Sequence, residues 1–304
     1  MAPPFAVDRR SGTVELPTFA VGAAVHGLWL GLTASASALP WWLVAASGGA
    51  LVAWHGAFQH ETIHGHPTRS RALNALLGSM PLGLWLPYGI YRSQHEAHHR
   101  TAHLTDPLDD PESFYVSHED WMKTGALRRA FLRAHATLCG RLVLGPPAVV
   151  LRFLFGELRL VWAGEFRWPR ARAWLHHIVG LAAVGAWLAG VCHLSLARYV
   201  LLFVYPGISL TLLRSFGEHR PAALAKHRIG IVEAGRFPSL LYLNNNLHAV
   251  HHEAPGAPWY ELPARYRTHR EAILEANGRF LFPGYLAVLV RFAFRAKDPP
   301  AHPW

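Results

Sequence analysis

WWLVAASGGALVAWHGAFQHETIH, residues 41–64, runs from an apolar stretch, Trp41 to Phe58, straight into the pair His60-Glu-Thr-Ile-His64. A helix needs about 17–25 mostly apolar residues to cross a bilayer. Residues at i and i+4 share one helix face. The segment therefore reads as a membrane helix with two imidazoles projecting together at its end. Pro67 stops the helix just past that pair.

Upstream, Thr18 to Ala38 is a second span, separated from the first by Leu39 and Pro40 alone, so the two form a tight hairpin. Downstream, Ala173 to Val191 and Tyr199 to Leu213 form another. The expected fold is all-α: a multi-pass integral membrane protein with four transmembrane helices in two hairpins, a single domain over residues 1–304. The stretch Ala72–Tyr91, broken by Pro81 and Pro87, reads as buried or re-entrant, since one crossing would separate the histidines flanking it. Leu142–Phe155 and Phe280–Phe292 carry arginines and read as interfacial helices. The Pro-rich tail Asp298–Trp304 is expected to be loose.

Composition agrees: 51% of the 304 residues are hydrophobic and only 16% charged. Twelve Trp and nine Tyr suit a chain with long water–lipid boundaries. The net charge of +10 is nearly all arginine, Lys123, Lys226 and Lys297 being the lysines. No basic run is interleaved with aromatics, which argues against nucleic acid. The arginines crowd the stretch Arg92–Arg172, whereas Arg198 is the one arginine in the two hairpin connections. By the positive-inside rule both termini and the middle region face the cytoplasm. Two cysteines, Cys139 and Cys192, exclude a disulfide scaffold or an iron–sulfur cluster. The opening MAPPFAVDRRSGTVELP has no apolar core after its charges, so no cleavable signal is expected.

Two further histidine clusters follow: His95-Glu-Ala-His98-His99 and His248-Ala-Val-His251-His252. With 21 histidines, an HxxxH arises by chance roughly once per chain, whereas two HxxHH arise in roughly one chain per hundred. All three clusters fall on the same side of the expected topology. Imidazole suits iron, zinc, copper and nickel. Eight imidazoles exceed what one ion takes and suit two. Neutral ligands leave such a pair highly charged, so nearby acids are expected to take the other ring N–H. Glu61, Glu96 and Asp106 are the expected partners; Asp109, Asp110 and Glu253 are further acids in reach of the clusters.

The order HETIH (60–64), HEAHHRTAHLTDPLDDPE (95–112) and NNNLHAVHHEAPGAPWYELP (244–263) resembles the membrane fatty acid desaturase superfamily, over about Trp54 to Arg267. The resemblance implies a cytosolic helical cap and a di-iron centre that uses O2. Its implied metal ligands are His60, His64, His95, His98, His99, His219, His248, His251 and His252. Where some members have a water-contacting Asn one turn before the histidine corresponding to His219, this chain has Ser215. It implies no catalytic side chain beyond these ligands, a lipid or acyl substrate, and an external electron donor such as a ferredoxin or cytochrome. The expected reaction is desaturation. The first alternative is a carotenoid-type hydroxylase or ketolase with the same metal site, and the second a non-catalytic membrane metal handler. His66 and His103 adjoin boxes, while His118, His135, His227, His269 and His302 read as surface residues.

Overall fold

The computed structural model describes residues 14–303; the basic start and its expected lack of a signal lie outside the described residues. The chain is mostly helical. In order come α1 (Leu16–Ser35), α2 (Trp41–Ile63), α3 (Arg71–Gly78), α4 (Tyr88–Arg100), α5 (His118–Lys123), α6 (Ala126–His135) and α7 (Leu138–Trp162). Then follow α8 (Trp168–Ala186), α9 (Leu196–Tyr199), α10 (Tyr205–Glu218), β1 (Ile231–Val232), α11 (Arg236–Leu241), α12 (His248–Glu253), α13 (Leu262–Ala276), β2 (Leu281–Phe282) and α14 (Tyr285–Phe292). Two compact units emerge, each discontinuous in sequence: one holds residues 14–92 and 146–211, the other 93–145 and 212–303.

Four helices among the described residues are long and apolar enough to cross a membrane: Leu16–Ser35, Leu138–Trp162, Trp168–Val191 and Leu196–Glu218. The count of four matches expectation, but its membership differs. Leu142–Phe155, expected to lie in the interface, is the middle of the 25-residue α7, because Pro146 and Pro147 fall inside the helix without ending it. The 41–58 stretch sits in the 23-residue α2, whose serine, glycines and His55 dilute its apolar character. Much of α2 is buried by protein instead.

In the first unit small residues let helices approach closely. A Cβ on Gly48 would meet the Phe203 ring at 2.7 Å, and one on Gly207 would meet Val52 at 2.6 Å. The 72–91 stretch is α3, then irregular backbone, then α4, and α3 has only 8 residues. Irregular backbone inside a protein needs side-chain partners. Here the Tyr199 hydroxyl donates to the Leu82 carbonyl at 2.8 Å while accepting from Trp29 Nε1 at 2.9 Å, and His177 Nε2 meets the Leu84 carbonyl at 2.9 Å.

The second unit is built around the short parallel pair β1–β2, with Ile231 opposite Leu281 and Val232 opposite Phe282. Successive strand residues point to opposite faces. Ile231 joins a core with Leu247, Val250, Leu262 and Leu274, while Val232 joins one with Leu138, Phe216, Phe282 and Phe292. Just before β1, Gly230 donates to the Glu218 carbonyl at 2.7 Å and its carbonyl accepts from Ala249 N–H at 3.1 Å. A Cβ there would stand 2.4 Å from the Gly217 carbonyl, so only glycine lets the strand press against the end of α10. This contact links the ends of two histidine-bearing segments.

Candidate metal centre

Helix α4 carries His95, His98 and His99, and α12 carries His248, His251 and His252; His219 follows the last residue of α10. Spacings of three and four residues turn each trio inward on about one helical face. Within the second unit the rings form two sets. The imidazole nitrogens of His95, His99 and His251 lie within 4.8 Å of one another, as do those of His98, His219, His248 and His252. In the first set Nε2 of His99 is 3.1 Å from Nε2 of both His95 and His251. In the second, Nε2 of His248 is 3.0 Å from that of His219 and 3.1 Å from that of His252.

While Nε2 atoms converge, Nδ1 atoms are held from behind. Asp110 Oδ1 lies 2.8 Å from His98 Nδ1, and Glu112 Oε1 lies 2.8 Å from His95 Nδ1. Asn245 Oδ1 is 3.0 Å from His248 Nδ1, and the Arg228 carbonyl 3.2 Å from His219 Nδ1. Acceptors at Nδ1 fix the tautomer that leaves a lone pair on Nε2, the arrangement around metal-bound histidine. His98 Nε2 is buried with no hydrogen-bond partner. An orphaned buried nitrogen costs about 1–3 kcal/mol unless something meets it, and a metal ion does. The donor set is all imidazole nitrogen, which fits iron, zinc, copper or nickel. The sites fit metal ions.

Electrostatics point the same way. Burial, reinforced by neighbouring imidazoles, holds His248 and His252 well below the usual histidine range, His219 at about 3 and His99 at about 2. All four are thus neutral and able to ligate near pH 7. Burial also opposes protonation of His98, but the Glu112 and Asp110 carboxylates outweigh it and raise the ring to about 9. For Glu112, burial is overcome by His98 and His95, which lower the carboxyl well below its ordinary range. Two fixed anions and these four neutral imidazoles form a cradle for cations.

His60 and His64 lie in the other unit at the end of α2, ring centroids 4.6 Å apart, with Glu61 Oε1 3.7 Å from His60 Nδ1. The other two acids expected to back the rings have partners of their own. Asp106 accepts the backbone N–H groups of Leu108 and Asp109, a turn-stabilising role, and Glu96 faces Arg100 across 3.9 Å. Of the nearby acids, Asp110 does meet a ligand-forming ring, Asp109 instead meets the exposed His103 at 2.6 Å, and Glu253 is exposed. Glu112 was missed because its reach to His95 depends on the turn after α4. Asn245 orients His248, and its own amide reaches Glu218 at 3.4 Å, while Ser215 is turned back onto the Leu212 carbonyl. His66 meets Glu15 at 2.8 Å. Two histidines read as surface residues are buried: His135 stacks on Phe131 at 5.7 Å and His302 is 1% exposed.

A family model described as fatty acid desaturase matches residues 16–284 of the chain. No curated protein matches it.

Proposed function

From its membership of the fatty acid desaturase family, to which the chain belongs, we propose that it is an O2-dependent di-iron desaturase that introduces a C=C bond into an acyl chain or related lipid. The family is one of oxidoreductases and includes related hydroxylases. The observation that supports the reading is the convergence of seven Nε2-bearing rings in two sets, each backed by an acid at one Nδ1. Bound iron would supply the O2 activation needed to remove hydrogen from an unactivated C–H bond. The chain's residues supply placement. His98, His219, His248 and His252 would hold one ion, and His95, His99 and His251 the other. Three imidazoles leave the second ion short of ligands, and we assign the remaining places to His60 and His64, whose spacing presents both from one face of α2. Asp110 and Glu112 offset cationic charge and keep His98 and His95 aimed.

Electrons would come from a separate donor. Exposed Arg128 and Arg133 on α6 suit an acidic ferredoxin or cytochrome. The arginine distribution supports a cytoplasmic position for the termini and the metal centre.

The test is mass spectrometry of lipids and small metabolites from cells with and without the gene. A product two hydrogens lighter is expected; one heavier by an oxygen would make the enzyme a hydroxylase or ketolase. No difference of either kind refutes the enzyme reading. His98→Ala or His251→Ala should abolish the product while membrane insertion persists. Purified protein should hold about two iron ions tightly, and exchangeable zinc in their place would mark a metal handler.

A further inference from the structure

The proline-rich tail, expected to be loose, is fastened at several points to the segments that carry the metal centre. The Lys297 N–H donates to the Ala136 carbonyl at 3.1 Å. Its ammonium, on a side chain 10% exposed, donates to the carbonyl of Phe216 at 2.7 Å and to that of His219. These carbonyls lie at the open end of α10, where a helix leaves its last acceptors unpaired and a cation meets the negative end of the dipole. The ammonium therefore grips the backbone from which the His219 ring projects.

Further along, the tail brackets the turn that carries the acids. Asp298 accepts from the Tyr115 hydroxyl at 2.8 Å, and Val116 N–H donates to the Pro300 carbonyl at 3.0 Å. His302 N–H donates to the Val116 carbonyl at 2.8 Å, and its buried ring meets Thr105 Oγ1 at 3.0 Å. Thr105 N–H in turn donates to Asp110 Oδ2 at 2.8 Å. Contacts at Thr105 and at Tyr115–Val116 thus pin the turn on both sides of Asp110 and Glu112.

We propose that residues 297–302 are a clamp that holds the histidine sets ready for metal, with Lys297 positioning His219 and His302 positioning the turn that bears Asp110 and Glu112. The proposal rests on the two-ion reading above. The two arms differ in what they reach. Lys297 touches the set of His98, His219, His248 and His252 alone, whereas the turn supports His98 in one set and His95 in the other.

The test uses the full chain in detergent, loaded with Fe(II), dialysed against a graded chelator and counted for iron by elemental analysis. The metal-free protein is melted in parallel. Wild type should hold about two irons. Lys297→Ala should release one at a chelator concentration about tenfold lower, as supporting contacts to metal ligands typically require, and keep the other. Lys297→Arg, which keeps a charged donor, should restore most of the loss. His302→Ala should weaken both ions together, with metal-free melting close to wild type. The clamp is overturned if Lys297→Ala holds both irons as firmly as wild type. It is also overturned if that variant loses both with a matching fall in metal-free stability, the mark of a merely structural tail. A wild type holding fewer than two irons overturns the two-ion reading, and the clamp with it.

Discussion

Replacing Asp110 with Asn exchanges one atom and should loosen one ion. The buried carboxylate accepts three hydrogen bonds: Oδ1 takes His98 Nδ1 at 2.8 Å and Glu112 N–H at 2.9 Å, and Oδ2 takes Thr105 N–H at 2.8 Å. Asparagine has one acceptor oxygen. With that oxygen kept on His98 and Glu112, the new amide faces Thr105 N–H, donor against donor. Flipping the amide moves the conflict onto His98. Either way a buried donor is left unmet, at a cost of about 1–3 kcal/mol to the fold. Removing the charge behind a ligand typically weakens metal affinity about 10–100-fold, or about 1.4–2.8 kcal/mol. Titration of metal-free Asp110→Asn with Co(II), read in the visible d–d bands, should show one of two binding steps weakened by that factor. Asp106→Asn is the control, since Asp106 caps a turn and touches no ring. Two unchanged steps in Asp110→Asn, or an equal loss in Asp106→Asn, would refute the argument that Nδ1 partners hold the rings in place.

Other substitutions probe the scaffold. Tyr199→Phe removes a hydroxyl that serves both Trp29 Nε1 and the Leu82 carbonyl, and should cost about 2–5 kcal/mol by stranding two buried groups, read as a fall in melting temperature in detergent. Gly78→Ala would place a methyl 2.3 Å from Thr62 Oγ1 and 2.8 Å from the Tyr88 ring; overpacking of this kind costs about 1–3 kcal/mol, and the same melt measures it. Glu233 is held below the usual carboxylate range by Arg270, whose Nε donates to it at 2.7 Å, and by the Tyr266 hydroxyl, also at 2.7 Å. A carboxyl whose folded value is depressed adds stability above its unfolded pKa of about 4.3 and loses it as pH falls through the folded value. Glu233→Gln should therefore flatten the acid side of the stability profile below about pH 4, by less than about 1 kcal/mol for so exposed a pair.

The histidine boxes were legible because helical spacing is a local property: His95, His98 and His99 point together whatever the rest of the chain does. What lay between the boxes was less so. Asp106, Asp109 and Asp110 are equivalent in composition, and only the turn decides that Asp110 meets a ring while Asp106 caps backbone. Glu112 acts on His95 across a turn that no periodicity announces, and Asn245, only three residues before His248, meets it through the irregular backbone ahead of α12. The four apolar helices were legible as a number, yet α7 was underestimated because its arginines read as an interface. The tail misled for a related reason. Proline content reports what a segment cannot form by itself, and here the order comes from long-range partners such as Val116 and Thr105.

Asp110 and Glu112 stand two positions apart on one turn and back His98 and His95, three positions apart on one helix, yet those rings belong to different sets. A shift of that turn therefore tugs on both halves of the centre at once. Anyone seeking to re-specify one half for another metal will have to redesign its neighbour in the same round, because the two share a hinge.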